Sequence, residues 1–311
     1  NADSALFKAK SAGREGYALY TEELTAHAQY RIEVASDLRR ALEQQELRVY
    51  FQPVHDLTTS RMVGVEALVR WQHPQRGLVA PGEFIPIAER TGLIAEIDAW
   101  VLEQACWQMC QWQAAGVDLS FVAVNISSRL FARPELYQLV STVLADTGLN
   151  PALLELEVTE SAVMDNSEVA LEQMHRLREL GLRLAIDDFG TGFSSLLRLK
   201  RLPVQKLKID QGFVAGLPGD DDDVAIVRAV IALAQSMGMQ VHAEGIEYVE
   251  QAQFLLDHHC DLGQGYWFGR PMPARELDWQ RAPAIRPERR LSSSRVAALA
   301  ARVTRLRTTQ Y

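Results

Sequence analysis

Cysteine, long apolar runs and surplus positive charge are all in short supply in this sequence. There are 3 cysteines in 311 residues, Cys106, Cys110 and Cys260. So sparse and odd-numbered a set points to reduced thiols and a cytoplasmic setting rather than a disulfide framework. Cys106 and Cys110 sit one helical turn apart in EQACWQMCQW, where core packing is their expected role. No run of about 18 apolar residues occurs, so no membrane span is expected. The first residues, NADSALFKAK, lack both an initiator Met and the apolar centre of a signal peptide, which suggests a fragment of a longer protein. A formal net charge of −8 disfavours duplex nucleic acid as a partner, because such binders carry a basic face. No G-x-G-x-x-G follows the first strand candidate, which weakens the case for a doubly wound dinucleotide-binding sheet.

What is present is ample apolar material, 48% of the chain, arranged with a period. Short β-branched runs occur at 49–54, 62–71, 121–127, 153–160, 183–189, 206–210, 240–246 and 266–269, and amphipathic helical stretches separate most of them. Alternating strands and helices mean βα units and a mostly parallel sheet. Eight strands are the count of a closed barrel. The first two are joined by HDLTTSR alone, too short for a helical crossover, so they should run antiparallel. The expected fold is therefore α/β, a modified (β/α)8 TIM barrel with its first strand antiparallel to the rest. Residues 1–24 stand apart, 25–283 form the barrel with a long leading helix, and 284–311 form a basic tail with seven arginines and one acid, Glu288.

Acids, amides and a lysine recur near the strand ends, where a barrel of this type builds its active face. They are Glu66, Asn125, Glu157, Glu160, the adjacent Asp187 and Asp188, Lys208, Glu244 and Gln264. Any one of them alone could be a satisfied buried group or a helix cap. Six strands sending such groups to one rim have a simpler common cause, a pair of hard divalent cations such as Mg²⁺ or Mn²⁺, which take carboxylate and amide oxygens. Five carboxylates, Glu66, Glu157, Asp187, Asp188 and Glu244, nearly balance two such ions. Lys208 and Arg70 remain to meet a substrate phosphate. The expected route for bringing both adjacent aspartates forward is the glycine turn that follows them in DDFGTGF.

These residues fall in FQP (51–53), EALVRW (66–71), NIS (125–127), ELEVTE (155–160), DDFGTGFSSL (187–196), LKID (207–210), AEGIE (243–247) and QGYWF (264–268). In that order and spacing, roughly over residues 30–280, the sequence resembles the EAL-domain family of cyclic di-GMP phosphodiesterases. The resemblance implies hydrolysis of cyclic di-GMP to linear pGpG with two Mg²⁺ or Mn²⁺ ions. It implies metal ligation by Glu66, Asn125, Glu157, Asp187, Asp188 and Glu244, and catalytic positions at Lys208, Glu66 and Glu244. It further implies substrate contacts at Gln52, Leu68, Arg70 and Gln264, a loop anchor at Glu160 and a homodimer. Residues 1–24 resemble the end of a GGDEF domain without its signature. Two other classes compete: a receptor that binds cyclic di-GMP without hydrolysis, and a metal-dependent barrel enzyme forming an enolate. Both are disfavoured because every ligand position is filled and the motifs stand in family order.

Other motifs are read more plainly. The acids of PGDDDDVAIV are expected to cap a helix, and His73 to serve a turn. His258, His259 and Cys260 lack a second ligand pair at zinc spacing. Gly-Thr-Gly is read as hinge freedom for a closing loop. Tyr248 stands where a small polar helix cap is usual in the family.

Overall fold

A computed structural model describes residues 22–281 except 166 and 191–195, together with 283 and 285. Its frame is a sheet of nine strands: β1 (Leu47–Asp56), β2 (Met62–His73), β3 (Gly77–Val79), β4 (Phe121–Asn125), β5 (Leu154–Thr159), β6 (Arg183–Phe189), β7 (Lys206–Ile209), β8 (Gln240–Ala243) and β9 (Leu262–Gln264). The order β1-β9-β8-β7-β6-β5-β4-β2 closes on itself through β1–β2. β1 runs antiparallel to both neighbours, and the remaining barrel pairs are parallel. The expected barrel is the observed one. The short β1–β2 turn is fixed by Asp56, whose carboxylate accepts from the Thr59 N–H (2.7 Å) and hydroxyl (2.8 Å).

Helices Pro81–Thr91, Ile94–Ala114, Leu136–Thr147, Ser167–Glu179, Asp221–Ser236 and Val249–Asp257 surround the barrel. The leading helix, Glu22–Glu43, spans the expected boundary at 24/25 and buries Val34, Leu38 and Ala41. Residues 1–21 and the basic tail from 286 onward lie outside the described residues. Asp220 caps its helix by accepting from the Asp222 and Asp223 N–H groups, as the acidic run suggested. At Tyr248 the cap comes instead from Gln251, whose amide oxygen accepts from the Glu247 (2.8 Å) and Tyr248 (3.1 Å) N–H groups. His73 does organise a turn. Its Nδ1 accepts from the Gln75 and Arg76 N–H groups, both at 3.1 Å. That turn leads into β3, a short strand absent from the sequence expectation.

The eighth barrel strand is a correction. It is Leu262–Gln264, not the aromatic run at 266–269. Tyr, Trp and Phe favour strands on propensity, yet Gly265 turns the chain away at φ +152. The Trp267 N–H then reaches the Ile246 carbonyl (2.9 Å), and the Gly269 N–H that of Gly265 (3.0 Å). A Cβ on Gly265 would collide with the Ile246 backbone.

Strand alternation sorts the barrel into two shells. Val65, Ala67, Val122, Val124, Leu156, Leu184, Ile186, Leu207, Ile209 and Val241 pack outward with the helices. A separate cluster of Val54, Phe121, Ala123 and Leu262 fills the base of the lumen. The alternate residues above it are the polar ones, so the barrel is apolar at its floor and ionic at its mouth.

Gly265→Ala is expected to destabilise the fold by about 2 kcal/mol or more in denaturant unfolding, from collision and backbone strain combined. A midpoint within error of the parent protein would show that this turn is not constrained as described.

Candidate active site

β6 places two carboxylates where a regular strand would place one. Ile186 pairs with Leu207 and Phe189 with Ile209, so Asp187 and Asp188 together oppose the single residue Lys208. Such a bulge re-aims side chains at a strand end. Asp188 adopts φ +54, a left-handed conformation that Asp accepts more readily than most residues. Its N–H donates to Asp187 Oδ1 at 3.0 Å. The expectation that the glycine turn brings both acids forward is refined: the bend starts at Asp188 and continues into Gly190, at φ +100.

Lys208 is the hub. Its ammonium lies 2.5 Å from Glu157 Oε2, 2.6 Å from Glu244 Oε1, 3.1 Å from Asp187 Oδ1 and 3.9 Å from Glu66 Oε1. Burial opposes its charge, but Asp187, Glu157, Glu244 and Glu66 outweigh that and hold it well above the ordinary lysine range. One cation cannot offset so many acids. Desolvation pushes the Glu244 carboxyl up to about 8 against the pull of Lys208, with Asp187 and Glu66 adding to the rise. Glu157 is likewise driven up by burial and by Glu66, Asp187 and Glu155, despite Lys208. Asp188 rises through burial, then Asp187 and Asp210.

Amides line the other side. Gln52 and Glu66 are cross-strand partners on β1 and β2. Gln264 Nε2 donates to Gln52 Oε1 (3.0 Å) and Glu66 Oε2 (2.5 Å), while Asn125 Nδ2 donates to Glu66 Oε1 (2.6 Å). Gln52 Nε2 reaches the Gly269 carbonyl at 3.1 Å. Together with Leu68 and Arg70, Gln52, Glu66, Asp187, Glu244 and Gln264 border a cleft of about 330 Å³. Gln211, Gly245, Glu247, Gly265, Tyr266 and Pro271 complete its wall, and sequence reasoning missed all six. Four of them lie inside AEGIE and QGYWF, so their neighbours in sequence were the available signal. The Arg70 guanidinium stands 5.6 Å over the Tyr50 ring, and that of Arg270 3.9 Å over Tyr266.

Buried groups tether the loops. Glu160 Oε2 accepts from the Gly190 N–H at 3.0 Å, on the loop it was expected to hold. The rest of that loop, including Thr191 and Gly192 of the expected hinge, lies outside the described residues. Asp98, also unforeseen, accepts from the Ser127 N–H at 2.9 Å and so fixes the chain just past Asn125. Burial lifts its carboxyl to about 6 against those bonds to Ser127.

The donor set suits a hard cation. Carboxylate oxygens of Asp187, Asp188 and Glu244 lie within 4.8 Å of one another. Glu157 Oε1 is buried with no hydrogen-bond partner, a costly state for a carboxylate oxygen that a ligand bond would relieve. All six expected metal positions therefore gather at one mouth, joined by Lys208, Gln52, Leu68, Arg70 and Gln264. The three cysteines are free thiols away from this cleft, Cys106 and Cys260 buried and Cys110 partly so.

A family model described as the EAL domain matches residues 35–271. The chain belongs to the EAL domain family. The signature tripeptide is Glu66, Ala67 and Leu68 on β2. Among its relatives is the bifunctional diguanylate cyclase/cyclic di-GMP phosphodiesterase MucR of Pseudomonas aeruginosa, 46% identical over 277 residues, covering 89% of this chain and 40% of the relative. The cyclic di-GMP phosphodiesterase NbdA of the same organism is 41% identical, with 89% and 36% covered. The chain thus spans well under half the length of these relatives. The solved structure of the MucR phosphodiesterase in complex with c-di-GMP matches at TM-score 0.77 and 46% identity, covering 79% of this chain and all of that one. The EAL domain of Mycobacterium smegmatis DcpA matches at TM-score 0.62 and 34% identity, covering 73% and 92%.

The raised acids of this EAL domain give a pH dependence with a definite sign. Folded Glu244 keeps a proton up to about 8 that an unfolded glutamate releases above 4.5. Stability of metal-free protein is therefore expected to fall as pH rises between those values. Calorimetric melting in EDTA should give a lower Tm at pH 8.5 than at pH 6, and Mn²⁺ should reverse the drop by replacing the proton. A metal-free Tm that climbs over this range would contradict the raised carboxyl.

Proposed function

We propose that this chain hydrolyses cyclic di-GMP to linear pGpG, with two Mg²⁺ or Mn²⁺ ions held by Glu66, Asn125, Glu157, Asp187, Asp188 and Glu244. The observation that carries the proposal is the excess of buried carboxylate around Lys208, with an unpartnered Glu157 oxygen, at the edge of a cleft. The choice of substrate is supported by the relatives named as phosphodiesterases of this dinucleotide and by the c-di-GMP complex of one of them. Bound divalent cations would polarise the phosphodiester and acidify a water. Water adds to phosphorus, one ester P–O bond breaks, and the freed ribose oxygen takes up a proton.

The chain's own residues set that reaction up. Lys208, kept as an ammonium by its carboxylates, orients the attacking water and meets developing phosphate charge. Arg70 meets the phosphate from the opposite wall. The Gln264–Gln52 and Gln264–Glu66 hydrogen bonds hold the rim in register, with Leu68 as an apolar contact for substrate. As placed, Asn125 turns its NH₂ to Glu66; a half-turn of the amide would present its oxygen to an ion. Glu160 holds Gly190, the residue that follows β6. A homodimer in a cytoplasmic setting belongs to the same proposal. Among the described residues no helix is long and apolar enough to cross a membrane.

Purified protein with Mg²⁺ or Mn²⁺ is expected to convert cyclic di-GMP to pGpG on a chromatographic assay, with EDTA abolishing turnover. Glu66→Ala should lower kcat by about a hundredfold or more. Tight dinucleotide binding without any pGpG would establish the non-hydrolytic receptor in its place.

A further inference from the structure

One tier below Lys208 lies a second ion pair for which the reaction above has no use. Lys206 Nζ is 2.6 Å from Glu155 Oε1, and each side chain is only 1% exposed. Lys206 and Lys208 share the lumen face of β7, and Glu155 and Glu157 share that of β5, so the two pairs stack about 7 Å apart. Both reach across β6, where the lumen-facing residue between them is small: Ala185 pairs with Glu157 on one side and Lys206 on the other. The Lys206 ammonium also lies 3.8 Å from the centroid of the Phe121 ring, on the apolar floor. Lining the same lumen, His242 is fully buried with neither ring nitrogen partnered. Burial, then Lys206 and Lys208, keep it neutral, so it adds no charge to the column.

A buried ion pair is costly to desolvate, and an apolar pair of similar volume is often as stable. Position under the reactive centre supplies a reason for this one. Without Lys206, Glu155 would be a buried acid whose neighbour up the lumen is the Lys208–Glu157 pair. Arg183 is its strand neighbour on β6, but among the described residues no ion pair joins them, and the Arg183 guanidinium stands toward Phe121. Glu155 would then draw Lys208 down the lumen, away from Glu244 and Asp187.

We propose that Glu155 and Lys206 are a positioning pair: by satisfying each other on the floor of the site, they leave Lys208 committed to the carboxylates above. This rests on the phosphodiesterase reading of the upper tier. It concerns placement of the reactive ammonium and the acids around it, and neither residue touches substrate.

The test is a double-mutant cycle of Lys206→Met, Glu155→Gln and the two together, read by steady-state kinetics on cyclic di-GMP and by Mn²⁺ titration calorimetry without substrate. Lys206→Met is expected to lower kcat about tenfold or more with KM little changed. Glu155→Gln leaves Lys206 unpaired beneath the acids and should weaken Mn²⁺ binding to a similar degree. The double variant, neutral on both sides, should recover kcat and Mn²⁺ affinity to within about threefold of the parent protein. A purely structural pair would lower the Tm of the singles while leaving kcat and Mn²⁺ affinity of the folded protein at parental values, and either that result or a double variant as impaired as the singles overturns the proposal. If Lys206→Met fails to fold, Glu155→Gln against the double variant makes the same comparison. A parent protein that makes no pGpG would sink the phosphodiesterase reading instead, while the Mn²⁺ cycle still decides the pair.

Discussion

A single ammonium, Lys208, faces Glu157, Glu244, Asp187 and Glu66 in a lumen closed to water on all sides but one. That imbalance is the constraint around which the rest is arranged. Like charges brought this close in a poor dielectric cannot all stay ionised without counter-charge. Protons answer the need in part, as the raised Glu244 and Glu157 indicate, and divalent cations answer it better. On the far side from Lys208, the amides of Asn125 and Gln264 each donate to a Glu66 carboxylate oxygen, and Gln52 holds Gln264 in place.

The barrel makes this imbalance tolerable. Strand alternation sends every apolar residue of β4, β5 and β7 that faces the helices into one continuous core, which supplies the folding free energy that a charged lumen cannot. The lumen is then free to grade from Phe121 and Leu262 at its floor, through the Glu155–Lys206 pair, to the acidic mouth. Buried side chains on the surrounding helices, such as Asp98 and Gln251, fasten the loops that leave the strand ends. The site is thus set on rigid strands and trimmed by tethered loops, a division that favours fixed geometry.

Much of this was readable before any coordinates. Seven of the eight barrel strands, the antiparallel first pair and the six acid or amide positions at one rim follow from period and motif order, because strand ends and turn residues leave local signals. The eighth strand was misread, since propensity favours Tyr266, Trp267 and Phe268 while the turn at Gly265 is imposed by the Ile246 backbone. Gln211, Tyr266 and Pro271 went unseen because a cleft wall is assembled from loops whose approach no local pattern encodes.

What the sequence determined by itself is the inventory: which strands form, in what order, and which chemical groups each carries to its end. Only the tertiary structure decided how those groups share charge. The bulge that sets Asp187 and Asp188 together against Lys208 is a matter of register between β6 and β7. The pairing of Glu155 with Lys206 spans 51 positions of sequence and one intervening strand. Coulomb energy depends on distance and on burial, and neither exists until the barrel closes.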